Sequence, residues 1–264
     1  MGKGTIMPVW NSEQYLRFER ERTQPSRDLA ARTRVADGGL VLDLGCGPGN
    51  STAVLAERFA SARVVGADNS PQMLARARAD HPDLDFVELD ATGDLSDYAH
   101  RCDLVFSNAC LHWVPDHETL LPRLMELLVP GGMLAVQMPL ADQQVMYQQV
   151  LWPLAESPAW RGRLGVPQSF HTLSPERYLD VLEGAGASVD LWETTYYHQM
   201  PSHEAVLEWY RGSGLRPYLQ ALDEEGAHDF EEQVLARVRD AYPPRADGSV
   251  VLRFPRLFWV ATRM

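Results

Sequence analysis

Glycines stand at every second position, Gly45, Gly47 and Gly49, after an apolar run that carries an acid, Val41-Leu42-Asp43-Leu44. A strand that hands its chain to a helix around a ligand needs residues that tolerate positive φ and lack a Cβ, because the backbone must approach the ligand closely. Asn50, Ser51 and Thr52 come next. All are helix-capping types, so a helix is expected to aim its N-terminal N–H groups at the bound molecule. Asp68 with Asn69 closes the next apolar run, Asp90-Ala91 a third and Asn108 a fourth. In a parallel sheet, polar side chains at successive strand ends surround one crevice.

The spacing of the glycines selects among ligands. A dinucleotide fingerprint places its third glycine three residues after the second, whereas here it follows after two, behind Pro48. A nicotinamide cofactor is therefore disfavoured. Asp43 and Asp68 sit where carboxylates could meet an amino group and a ribose diol, and a carboxylate accepts two hydrogen bonds from such a diol. An acid at this turn repels a pyrophosphate but welcomes a zwitterion bearing a sulfonium. S-adenosylmethionine has all of these groups. Asp90 with Ala91 could read an adenine amino group, and Asn108 with His112 and Trp113 would face the transferable methyl. An aromatic face beside a sulfonium is worth ~0.5–2 kcal/mol, which gives Trp113 a physical reason to be there. The competing readings are a structural glycine turn, end caps at the acids and core packing for Trp113.

The elements that must position these residues are legible in the punctuation. Strands are expected at 40–44, 63–67, 85–89, 103–107 and 133–138, separated by helical patterns at 51–60, 71–79 and 117–128. Pro71 behind Asn69-Ser70 reads as a first-turn proline after a cap, and Pro130-Gly131-Gly132 as a turn into the fifth strand. Segments 187–197 and 250–262 read as a last pair of strands, with helices at 203–211 and 218–240 and others within 141–183. The expectation is α/β: a Rossmann-like, doubly wound, seven-stranded, mostly parallel sheet. One methyltransferase-type domain would span 1–264, with an N-terminal helical cover at 11–34 and a cofactor core at 35–140. A helical lid at 141–249 carries the strand at 187–197, and the last strand occupies 250–264.

Composition bounds the partners. A formal net charge of −12 argues against nucleic acid, whose affinity comes from basic side chains releasing counterions. No run of ~18 uncharged apolar residues occurs, so no membrane span is expected, and neither is a signal peptide. Cys46, Cys102 and Cys110 lack metal-ligand spacing and read as reduced packing residues. A cytoplasmic enzyme without a metal is expected. The oligomeric state is not legible.

The turn Asp43-Leu44-Gly45-Cys46-Gly47-Pro48-Gly49, with Leu111-His112-Trp113-Val114 and Leu128-Val129-Pro130-Gly131-Gly132, resembles the class I S-adenosylmethionine-dependent methyltransferases. Segments outside this core are similar to the trans-aconitate 2-methyltransferase family: Tyr15-Leu16-Arg17-Phe18, Arg22-Thr23-Gln24-Pro25, Trp192 to Tyr196, Glu208 to Pro217, Ala241 to Gly248 and Phe254 to Phe258. The family often has threonine where Ser213 stands and phenylalanine where Tyr218 stands; neither difference removes a charge. The resemblance implies methylation of one carboxylate of trans-aconitate, a small tricarboxylate, to a monomethyl ester. Arg22, Arg216 and Arg256 fall in shared segments, and guanidinium groups suit carboxylates bidentately; Trp209 and Tyr196 are further candidates for the acceptor pocket. Lys3 is the only lysine. A carboxylate with a pKa of roughly 4 is already ionised at neutral pH, so no general base is required, and His112 and Trp113 are expected to position rather than deprotonate. Other readings keep the cofactor: a methyltransferase for another small carboxylate, a malonyl carrier protein or a small natural product, or a non-catalytic binding module.

Overall fold

A computed structural model describes residues 18–164 and 170–264. Seven strands form one sheet: β1 (Leu40–Leu44), β2 (Arg63–Asp68), β3 (Asp85–Glu88), β4 (Cys102–Asn108), β5 (Leu128–Pro139), β6 (Ala187–Met200) and β7 (Val250–Arg263), in the order β3-β2-β1-β4-β5-β7-β6. The pairs among β3, β2, β1, β4 and β5 are parallel, and β7 runs antiparallel to β5. The central strands are apolar and buried along nearly their whole length, as strands covered on both faces must be. The order reverses direction between β1 and β4, and this is the switch point outside whose carboxyl ends ligands bind in open α/β sheets.

The chain divides into two compact units. The first comprises Arg22–Pro139, Phe170–Thr194 and Arg256–Met264. Within it, α2 (Asn50–Arg58) packs on β1 and β2, α3 (Pro71–Asp80) on β2 and β3, and α4 (His117–Glu126) on β5 and α6 (Pro175–Gly184). Pro71 is the first-turn residue of α3, and Ser70 Oγ caps it by accepting from the Met73 N–H. Most of α1 (Glu19–Ala30) also belongs here. Of the cover expected at 11–34, residues 11–17 lie outside the described residues.

Of the described residues, the second unit comprises 18–21, 140–164 and 195–255. A π-helical turn at Met146–Leu151 runs into α5 (Trp152–Ala155) and packs on the long α9 (Glu224–Ala241), which also packs on α7 (His203–Arg211) and α8 (Arg216–Gln220). Trp160 is buried edge-on against Phe230 and donates from Nε1 to Gln233 Oε1.

Two expectations need correction. The single helix expected at 218–240 is split, because Asp223 caps a new helix by accepting from the Gly226 N–H at 2.9 Å. Pro130-Gly131-Gly132 is not a separate turn but an irregular stretch inside β5. The pairing moves from Cys102↔Leu128 to Leu104↔Met133, so β5 spends five residues where β4 spends two, and Gly131 takes a φ of 77°.

Candidate active site

The glycine turn closes on β2. Both Gly45 and Cys46 donate backbone N–H groups to Ala67 O, at 2.7 and 3.0 Å, and Gly47 N–H donates to Asp68 Oδ2 at 2.9 Å. Gly45 and Gly47 have φ of 76° and 54°, and they have opposite surroundings. A Cβ on Gly45 would lie 2.1 Å from Cys110 Sγ, whereas one on Gly47 would meet no atom within 4 Å. Gly45 therefore permits packing against the segment after β4, and Gly47 leaves bare backbone facing open space.

Asp43 is wholly buried, and its Oδ2 accepts from the Ser51 and Thr52 hydroxyls at 2.7 Å each. These residues were expected to cap α2. Instead Gly49 occupies the N-cap with φ 92° and no side-chain bond, so the helix begins in the turn itself and its first hydroxyls point inward to the acid. Burial pushes the Asp43 carboxyl up to about 6, partly offset by the two hydroxyl bonds. Asp43 thereby holds the start of α2, and its Oδ1 is buried and without a hydrogen-bond partner.

Asp68 Oδ1 accepts from the Ser70 N–H at 2.9 Å. Both oxygens thus accept backbone bonds, and a carboxylate has about four acceptor sites, which leaves capacity for a ligand. Asp90 is exposed; Oδ1 accepts from the Thr92 N–H and hydroxyl, and Oδ2 from Asn69 Nδ2 at 3.4 Å. These bonds hold its pKa below the ordinary carboxylate value. Ala91 beside it is buried. Cys110 locates the three acids together: burial first, then the fields of Asp68, Asp43 and Asp90, push its thiol up to about 12. Nothing in the sequence around Cys110 signals that it packs against the glycine turn.

At the end of β4, Asn108 Oδ1 is buried without a hydrogen-bond partner. Ala109 follows with φ 54°, a left-handed conformation that costs a non-glycine residue about 1 kcal/mol or more, and its N–H donates to Gln137 O. The turn Leu111–Trp113 is fixed from behind by His117. Its Nε2 meets Leu111 O at 2.9 Å and its Nδ1 meets the Tyr178 hydroxyl at 2.6 Å. A carbonyl only accepts, so Nε2 carries the proton and Tyr178 donates to Nδ1. The turn presents Trp113, 37% exposed, with its ring 4.4 Å from His112 and 5.0 Å from Phe170. His112 itself is buried, and its pKa is pushed down to about 3 by burial and then by the charge of Arg256. It is a neutral imidazole.

Arg256, on β7, is 5% exposed, and its Nη1 donates to Gln137 Oε1 at 2.9 Å. Arg22 is half-buried on α1. The remaining candidates stand in the helical unit. Arg216, at the start of α8, is half-buried with Nη2 buried and unbonded, and burial lowers its pKa. Tyr196 lies half-buried on β6 with its ring parallel to His198. Trp209 is 2% exposed, packed among Phe18, His198 and Phe254.

S-adenosylmethionine carries an ammonium, a vicinal diol and a sulfonium, all of which seek acceptors or negative charge. The turn offers bare backbone at Gly47, open acceptor sites on Asp68 and Asp90, and an orphaned buried acceptor on Asn108. The residues present fit the group. Asp68 would hold the diol, Asn108 would face the methyl, and Asp90 with Ala91 would read the base.

Fold and site together define a class I S-adenosylmethionine-dependent methyltransferase. Residues 41–132 match the methyltransferase domain family. The fold is similar to that of the YcgJ protein of Bacillus subtilis, with a TM-score of 0.63, 13% identity, and coverage of 91% of this chain and 98% of that one. It is also similar to phosphoethanolamine N-methyltransferase 2 of Haemonchus contortus in complex with S-adenosyl-L-methionine, with a TM-score of 0.56, 20% identity, and coverage of 91% and 52%. In sequence, the chain is 45% identical over 263 residues to trans-aconitate 2-methyltransferase of Methylobacterium radiotolerans, covering 97% of this chain and 99% of that one. The chain belongs to the trans-aconitate 2-methyltransferase family.

Proposed function

We propose that this enzyme methylates one carboxylate of trans-aconitate, giving a monomethyl ester. The observation that carries the proposal is the match to a trans-aconitate 2-methyltransferase along 97% of the chain, acceptor-side segments included. Bound S-adenosylmethionine supplies a methyl group on a sulfonium, which a carboxylate oxygen takes to leave S-adenosylhomocysteine.

The protein's own part is positioning. An acceptor carboxylate is ionised at neutral pH and needs no base, and a neutral, buried His112 suits a site that has no proton to move. The chain must hold carboxylate oxygen, methyl carbon and sulfur in line at ~3–3.5 Å and exclude water. Asn108 and Trp113 are assigned to the methyl end and Arg256 to an acceptor carboxylate, beside His112. Arg22, Arg216, Tyr196 and Trp209 are assigned to the acceptor through the family resemblance. The covering role expected of the helical segments is kept as part of this proposal.

Among the described residues no helix is long and apolar enough to cross a membrane, and all three cysteines are free thiols. A cytoplasmic setting accords with that. The test is incubation of the protein with methyl-labelled S-adenosylmethionine and trans-aconitate. Label in a base-labile ester supports the proposal; label in a base-stable product, or none in trans-aconitate, overturns it.

A further inference from the structure

His112 and His117 are both buried at the turn after β4, yet they are bonded differently. His117 engages both ring nitrogens, one with Leu111 O and the other with the Tyr178 hydroxyl. The Nδ1 of His112 is buried and has no hydrogen-bond partner. An unmet buried polar atom costs about 1–3 kcal/mol, and an aliphatic side chain of the same size would not incur that cost. The retention of an imidazole at this position calls for a partner that arrives with a ligand.

The turn is fastened so that the ring keeps one position. The backbone carbonyl of His112 accepts from the His171 N–H at 2.9 Å. The same segment returns to the turn by a second route, because the Tyr178 hydroxyl that donates to His117 also accepts from the Leu173 N–H at 3.1 Å. Phe170 flanks the imidazole at 5.7 Å and Trp113 at 4.4 Å, between ring centroids. The turn opens three residues past Asn108, so the spare nitrogen belongs to the methyl end of the site.

The state of the imidazole selects the ligand's chemistry. Burial keeps the ring neutral, and a neutral imidazole has one N–H and one bare nitrogen, their places set by what each one meets. A carboxylate only accepts, so beside a carboxylate Nδ1 is the N–H. We propose that His112 donates from Nδ1 to one oxygen of the carboxylate that receives the methyl, holding it so that the other oxygen faces the methyl carbon. The proposal rests on the carboxyl-methylation reading and deepens it. The facing oxygen supplies the electron pair of the new O–C bond, the departing sulfur keeps the pair of the old bond, and the imidazole proton stays in place. A neutral donor orients the carboxylate and leaves it the negative charge with which it attacks.

The test compares wild type with H112N and H112L. The first keeps an N–H donor one bond from Cγ, where Nδ1 stands; the second keeps the approximate size and removes the donor. With trans-aconitate, H112L should raise KM roughly 10- to 100-fold, the worth of a hydrogen bond to a charged group, and H112N no more than about threefold. Affinity for S-adenosylmethionine, by calorimetry, should stay within about twofold of wild type in both. A ring that only packs predicts the reverse order, since leucine fills its space and asparagine does not. That order, or an unchanged KM in H112L, overturns the assignment. Cofactor affinity lost in H112L would move the bond to the cofactor's own carboxylate and overturn it as well.

Wild type labelled with 15N in its histidines and loaded with S-adenosylhomocysteine adds a readout independent of turnover. With propane-1,2,3-tricarboxylate bound, Nδ1 of His112 should be protonated and hydrogen-bonded; a bare Nδ1 in that complex overturns the assignment. If wild type fails to methylate trans-aconitate but the tricarboxylate engages Nδ1, the methylation reading falls and the binding role of His112 stands. If wild type methylates and the tricarboxylate leaves Nδ1 bare, only the role of His112 falls. No binding and no turnover by wild type overturns both.

Discussion

Gly45 and Gly47 are two residues apart, share a left-handed backbone and carry identical side chains, yet alanine at each should fail in a different way. A non-glycine residue at positive φ costs about 1–2 kcal/mol at either site. At Gly45 the new Cβ would also lie 2.1 Å from Cys110 Sγ and 2.4 Å from Cys110 Cβ, so rotating the thiol away cannot relieve the clash. Overpacking of that kind adds about 1–3 kcal/mol. G45A should therefore lose about 2–5 kcal/mol, or roughly 4–10 °C of Tm at about 2 °C per kcal/mol for a chain this size. At Gly47 nothing lies within 4 Å of the new methyl, so G47A should lose only the backbone cost, about 2–4 °C. Its methyl projects where the cofactor must approach. There an overlap of about 1–3 kcal/mol corresponds to roughly 5- to 150-fold weaker binding of S-adenosylmethionine. Thermal unfolding and calorimetric titration of the two variants, with C110G added to G45A, test both arms. C110G should restore most of the overpacking loss in G45A. Equal Tm losses in the single variants, or S-adenosylmethionine affinity untouched in G47A, would refute this account of the turn.

Asp43 makes a pH-dependent prediction. Its carboxyl is raised to about 6 in the fold, above the ~3.9 of an unfolded chain, so its charged form opposes folding at neutral pH and the opposition fades as the pH falls from about 6 to 4. D43N keeps an acceptor for Ser51 and Thr52, so it should exceed wild type by up to about 3 kcal/mol at pH 7, with the gap closing by pH 4; a gap that widens in acid contradicts the assignment. His112 is depressed to about 3, so it is neutral throughout the working range. The pH profile of kcat/KM should keep its shape in H112Q, and an inflection near the ordinary histidine value that vanishes in the variant would reveal a base after all. R256M should raise the KM for trans-aconitate roughly 10- to 100-fold and leave S-adenosylmethionine affinity within about twofold, and equal losses of both would show that Arg256 is structural only.

The parallel strands were readable because each carries a short apolar run bounded by glycine, proline or a polar strand end, and apart from β5, which begins at Leu128 and not at the expected 133, the strand limits lie close to expectation. The glycine turn and the acids at strand ends were readable for the same reason: their positions follow from one-dimensional spacing. Roles that depend on rotation about an element were not. Ser51 and Thr52 have the chemistry of caps, and only the start of α2 at Gly49 decides that they serve Asp43 instead. Trp209 reads equally well as pocket or core until the face of α7 is known. Gln137 and Arg256 are 119 positions apart, and nothing in either segment announces that β7 inserts antiparallel beside β5 to join them. Cys110 gives no signal at all; its importance lies in the absent side chain of Gly45.

The central claim is that this fold delivers a methyl group to a carboxylate of a small tricarboxylate. The most direct measurement offers trans-aconitate, cis-aconitate, citrate and a malonyl carrier protein together to the enzyme with methyl-labelled S-adenosylmethionine, and partitions the label among them by mass. The account predicts that the label accumulates in the monomethyl ester of trans-aconitate ahead of every competitor. Label that goes instead to the carrier protein, or to none of the four while S-adenosylmethionine still binds, would contradict it and leave only the fold and cofactor standing.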